Sequence, residues 1–145
     1  MESIRGGSIG ASWSSKKAGF VWRGTASGGR NKQDTRLHFH RHRFVEMMNG
    51  TKLGAMQASD TSQGHTFTLL QNAGYSLPED FDIGAFLSNY SDVALVHLEC
   101  HNRAKWEDKA CPHTGEHFGL RKNTSMQKQY EYKFVPDVYG NSHSG

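Results

Sequence analysis

Apolar residues in this chain come in short runs divided by long polar stretches, and that spacing limits it to a small core with wet loops. Only 35% of its 145 residues are apolar, and the mean hydropathy is −0.72. The length suits one domain. Aromatic side chains offset the shortage, because eight Phe, five Tyr and three Trp bury much area per residue. No apolar run approaches the roughly 18 residues of a membrane span, and the leading MESIRGGSIGASWSS lacks the apolar stretch of an export signal. The expectation is a soluble, intracellular protein without a membrane partner. In that setting two cysteines favour free thiols or metal over a disulfide framework.

The local pattern divides the chain into a Gly/Ser-rich leading arm, residues 1–33, and a globular domain over residues 34–145. The arm holds one plausible strand at Gly19 to Arg23. Arg36 to Phe44 and His65 to Gln71 read as strands, the second with Phe67 and Leu69 on one face, although Arg41 to Met48 also fits a short helix. The strongest helix signal runs from Pro78 to Tyr90. Pro78 suits a first turn, Glu79, Asp80 and Asp82 put negative charge at the positive end, and Phe81, Ala85, Phe86 and Leu87 recur at helical spacing. Val93 to Leu98 reads as a strand, and Tyr130, Tyr132 and Phe134 mark a last one that stops at Val135, Pro136 and Asp137. The expected class is α+β and strand-rich: a small domain of antiparallel strands with one or two short helices. The alternative is an all-β, jelly-roll-like sandwich.

Charge is unevenly spread. Residues 1–45 carry Arg5, Lys16, Lys17, Arg23, Arg30, Lys32, Arg36, Arg41 and Arg43 against Glu2 and Asp34, a net of +7, so with +3 overall the rest sums to −4. Lysine and arginine displace phosphate counterions and aromatic faces stack on bases, so this bias with Trp13, Phe20 and Trp22 interleaved suits nucleic acid. The residues that would bind it are Lys16, Lys17, Arg23, Arg30, Arg36, Arg41 and Arg43. A solvated arm that only keeps the protein soluble explains the same composition.

Both cysteines and four of the nine histidines fall between His97 and His117, in HLECHNRAKWEDKACPHTGEH. Thiolate and imidazole are the ligands that zinc prefers. His97, Cys100, Cys111 and either His113 or His117 can close a tetrahedral structural site, or one position can stay open for water or a phosphate oxygen in a catalytic one. A Cys100–Cys111 disulfide and a chance clustering of ordinary residues are the competing readings.

The stretch Asp92-Val93-Ala94-Leu95-Val96-His97-Leu98-Glu99-Cys100-His101-Asn102 resembles the second half of the HNH nuclease signature, and is similar to the HLCHN core of the His-Cys box nucleases. Both belong to the His-Me finger superfamily, which sets a strand pair and a helix around one divalent metal. The resemblance implies a metal-dependent endonuclease acting on nucleic-acid phosphodiesters, with zinc or magnesium as cofactor. His101 would bind the catalytic metal, Asp92 stands where the family has Asn, and His97 replaces the first zinc cysteine. His65 would be the general base, and Arg103 or Lys105 would hold the phosphate. The chain departs from the family in two places: His65 lies in Gln-Gly-His-Thr without the usual preceding Asp or His, and the second Cys-x-x-Cys pair is missing.

A second cluster, Arg36-Leu37-His38-Phe39-His40-Arg41-His42-Arg43, would set His38, His40 and His42 on one face if it were a strand. Its arginines make a wet or phosphate-facing strand a better expectation than a metal site. The alternating stretches also resemble the early part of a jelly roll, as in small viral capsid proteins with basic arms. That resemblance implies a non-enzymatic, nucleic-acid-binding assembly subunit, homo-oligomeric or part of a larger particle.

Overall fold

A computed structural model of the chain describes residues 11–26, 38–69, 78, 80–98 and 118–139. A short 3-10 turn at Trp13–Ser15 leads into strand β1, Lys17–Ala26. Helices α1, His40–Met47, and α2, Gly50–Ala58, follow, then α3, Ile83–Tyr90, which runs directly into β2, Ser91–Leu98. A four-residue helix α4, Met126–Gln129, precedes β3, Tyr132–Phe134. The three strands form one sheet in the order β2-β1-β3, and both pairings are parallel.

That sheet overturns the expected antiparallel arrangement and its jelly-roll alternative. Parallel neighbours need a long crossover, and β1 reaches β2 only after α1, α2 and α3 have been laid down between them. Burial explains why the sequence pattern misled. Val21, Trp22 and Ala26 are buried in the central strand, and Ala94 and Leu95 in β2, so both strands carry adjacent apolar residues instead of alternating ones. Residues 17–26, assigned from sequence to the leading arm, are therefore the middle of the sheet. The register of β1 on β2 slips between Gly24 and Thr25, leaving Val96 without a partner residue. At Gly24 a Cβ would stand 2.4 Å from the Trp22 ring, so that indole lies across a position with no side chain. Beyond β2, the 118–121 segment covers the sheet edge: Leu120 bridges Leu95 in parallel, and the Arg121 amide donates to the Leu95 carbonyl at 2.9 Å.

The helices also differ from the sequence expectation. The described part of the strand expected from Arg36 to Phe44, residues 38–44, is not a strand. From His40 onward the chain is α1, as the alternative reading of Arg41 to Met48 has it, and His42, Val45 and Glu46 form its buried face at helical spacing. The helix expected from Pro78 begins at Ile83. Asp82 caps it by accepting from the Ala85 amide at 2.7 Å, while a Phe81 to Pro78 backbone bond of 3.0 Å spends the preceding residues on a turn. The strand expected from His65 is a tight turn, with Gln63 and Thr68 in an antiparallel bridge and the Gly64 amide donating to the Phe67 carbonyl at 2.8 Å.

Two apolar clusters hold these pieces. Trp22, Ala26, Val45, Leu95 and Phe118 join α1 to the sheet, whereas Leu53, Met56, Phe67 and Leu87 join α2, α3 and the turn. The second depends on close approach of backbones. A Cβ on Gly84 would stand 2.5 Å from the Gly54 Cα and 2.9 Å from the Gly50 carbonyl oxygen, so α2 and α3 touch with no room for a methyl group. Gly84→Ala is expected to destabilise the fold by about 2–3 kcal/mol through overpacking, read as a drop in Tm. An unchanged Tm would show that the helices separate freely.

Candidate functional site

Because every strand is parallel, the carboxyl ends of β1 and β2 share one edge of the sheet. Arg41, buried on α1, ties that edge together: its Nη1 donates to the Thr25 carbonyl at 3.0 Å and its Nε to the Val138 carbonyl at 3.3 Å, with the guanidinium 5.8 Å from the Trp22 ring. It joins the end of β1 to the segment that follows β3. The next residue, His42, is fully buried against the rings of Phe39 and Phe118, with centroids at 5.5 and 5.1 Å. His40 is exposed, 6.1 Å from the ring of Tyr139. The three histidines expected on one strand face are thus dispersed by the helix, and His42 belongs to the core.

His97 lies at the same edge, exposed and in register with Thr25. It is the one residue of the proposed metal set that the structure describes. Cys100, His101, Arg103, Cys111, His113 and His117 lie outside the described residues, as do Arg30 and Arg36. In the sequence, residues 27–37 follow β1 and residues 99–117 follow β2. Among the described residues, no group of three His, Cys, Asp or Glu side chains is placed to hold a metal ion.

At the opposite edge, the amino ends of β1 and β2, with Tyr132 of β3, border a groove of about 740 Å³ bounded by α2 and α3. Asp92, read from sequence beside the catalytic metal, lines this groove and is committed elsewhere. Its Oδ1 accepts from Arg23 Nη2 at 2.7 Å and from Arg121 Nη1 at 3.0 Å. Arg23 has a side chain only 6% exposed, and its other bonds go to the carbonyls of Trp22, Asp92 and Lys122. Arg23 and Arg41 are therefore spent on carbonyls and a carboxylate inside the fold, and neither presents its guanidinium to a nucleic-acid backbone. Lys16, Lys17 and Arg43 do reach the surface, Lys17 in an exposed pair with Glu131 at 3.3 Å.

His65 is not part of the groove that Asp92 lines. It is exposed on the turn after α2, where the carboxylate of Glu46 gathers four donors: the His65 amide at 2.8 Å, the Thr66 amide at 2.7 Å, the Thr66 hydroxyl and the Lys52 ammonium. Burial alone would raise the Glu46 carboxyl. The bonds from Lys52, Thr66 and His65 outweigh burial and hold it below the ordinary carboxylate value. Glu46 is not legible from the sequence as a key residue. The one available signal was the spacing of His42, Val45, Glu46 and Asn49 on a helical face, which a strand reading of the same stretch hides.

Comparison with models of known protein families, with curated proteins and with solved structures finds no match. No described helix is long and apolar enough to cross a membrane.

Proposed function

We propose that the chain binds a phosphate-bearing ligand, a nucleotide or a nucleic-acid phosphodiester, at the carboxyl edge of its parallel sheet. The observation that carries this reading is the strand order β2-β1-β3. The chain goes out to one side of β1 and returns on the other, and in open parallel sheets such a reversal leaves a ligand crevice outside the carboxyl ends of the strands. The sequence leaving β1 supports it: Ser27-Gly28-Gly29-Arg30 offers small residues beside which a phosphate can approach the backbone, then a guanidinium to pair with it. The sequence leaving β2 adds Arg103 and the Cys/His set, suited to zinc or magnesium.

Metal-dependent phosphodiester hydrolysis is the catalytic form of this proposal. It rests on His101 and Arg103 and leaves out Asp92, whose carboxylate is held by two arginines. A calorimetric titration with a magnesium nucleoside diphosphate and with an oligonucleotide tests the binding. Arg30→Ala and Arg103→Ala are each expected to weaken it roughly tenfold, a charge-assisted hydrogen bond's worth, while Lys128→Ala leaves it unchanged. A folded protein that takes up neither ligand sinks the proposal. Magnesium-dependent cleavage that His101→Ala abolishes would support hydrolysis. Binding without such cleavage would remove the hydrolytic form and keep the ligand site.

A further inference from the structure

The sheet leaves one flank of different character. Among the described residues β3 is an edge strand, and around it Trp13 is 60% exposed, Phe134 48% and Val135 40%. These side chains do not form a plain apolar patch. Trp13 stands edge-on to Phe134 at 6.3 Å, and Phe134 is stacked on Phe20 at 5.1 Å, so the rings brace one another. Each end of the row carries a cation: the Lys133 ammonium lies 5.6 Å over the Trp13 ring, and the Lys17 ammonium 5.1 Å over the Tyr132 ring. The exposed carboxylate of Glu131 lies beside them, and Lys17 already pairs with it at 3.3 Å.

We propose that this flank, formed by Trp13, Lys17, Tyr132, Lys133 and Phe134, binds single-stranded nucleic acid. The proposal is independent of the carboxyl-edge site. Flat rings accept unpaired bases by stacking regardless of sequence, and interleaved lysines meet the phosphates between them. A protein partner with an apolar face would have to bury the Lys17–Glu131 pair and the Lys133 ammonium, which argues against it. A duplex offers no free base faces, so it meets the lysines alone. The braced rings suit a platform, because little side-chain freedom is left to lose when a base stacks. The sequence placed the interleaving in the leading segment. The structure moves it: Trp22 is in the core, and Phe134 and Lys133 from the far end of the chain take its place beside Trp13.

The test is fluorescence anisotropy of a labelled oligothymidylate titrated with the full chain at two salt concentrations. Trp13→Ala is expected to weaken binding by at least about fivefold, the lower end of one lost base stack, and Trp13→Phe to retain most of the affinity. Lys133→Gln should reduce the slope of log affinity against log salt by about 0.7, one phosphate contact on a single strand. Lys122→Gln makes the same charge change beside the β2 side of the sheet, where its carbonyl meets Arg23, and should leave the affinity within about twofold. Trp13 is exposed enough that its replacement should not alter thermal melting. The proposal is overturned if Trp13→Ala binds as tightly as the parent, if Trp13→Phe loses as much as Trp13→Ala, or if duplex DNA or heparin binds as tightly as the single strand.

Discussion

Glu46→Ala is expected to lower the free energy of unfolding by about 3–5 kcal/mol, because it strands a whole set of donors at once. The His65 and Thr66 amides, the Thr66 hydroxyl and the Lys52 ammonium all lose the same carboxylate, which is 2% exposed. In a chain of this size that corresponds to a fall in Tm on the order of 10 °C. Glu46→Gln keeps the shape and one acceptor oxygen, and should fall between alanine and the parent. The same carboxyl predicts a pH dependence. Its value in the folded protein lies below the ordinary one, so its contribution is complete above the unfolded value of about 4.3 and is lost as pH falls through the folded value. Melting curves should therefore drop more steeply below about pH 4.5 for the parent than for Glu46→Gln. Parallel acid limbs for the two proteins would remove Glu46 from this role.

The second large effect concerns Asp92. Asp92→Ala takes away the carboxylate that faces Arg23, a guanidinium with a side chain 6% exposed, and should cost about 2–3 kcal/mol. Arg121 adds little, since its side chain is 65% exposed and that bond is screened by water. Asp92→Asn retains the Oδ1 acceptor and should cost roughly half as much. This pair separates a structural carboxylate from a metal ligand. If Asp92 braces the arginines, the loss is the same before and after treatment with a chelator. A loss that disappears once the protein is stripped of metal would restore Asp92 to a metal site.

Several elements were readable from local signals because the causes are local. Val93-Ala94-Leu95-Val96 is a β-branched, apolar run with no helical period, and it lies in β2; Asn89 and Tyr90 mark the end of α3 as expected. Phe20 to Trp22 lies in β1, and Tyr132 and Phe134 bound β3. The stretch around His40 was harder. Its alternating histidines imitate a strand, while the forces that make it a helix come from Val45 packed with Trp22 and Leu95, and from Glu46 reaching residues about twenty positions away.

By itself, the sequence determined where apolar runs begin and end, that the core is small, and that metal-type ligands crowd the stretch from His97 to His117. Tertiary structure alone decided the direction and order of the strands, because an apolar run packs equally well beside a parallel or an antiparallel neighbour. It also decided which cations face solvent. Arg23 and Lys17 are both basic residues of one strand, yet Arg23 is closed in by Asp92 from 69 positions away, and Lys17 reaches the surface beside Tyr132. A side chain's charge is written in the sequence; its surroundings are set by whichever distant segment folds against it.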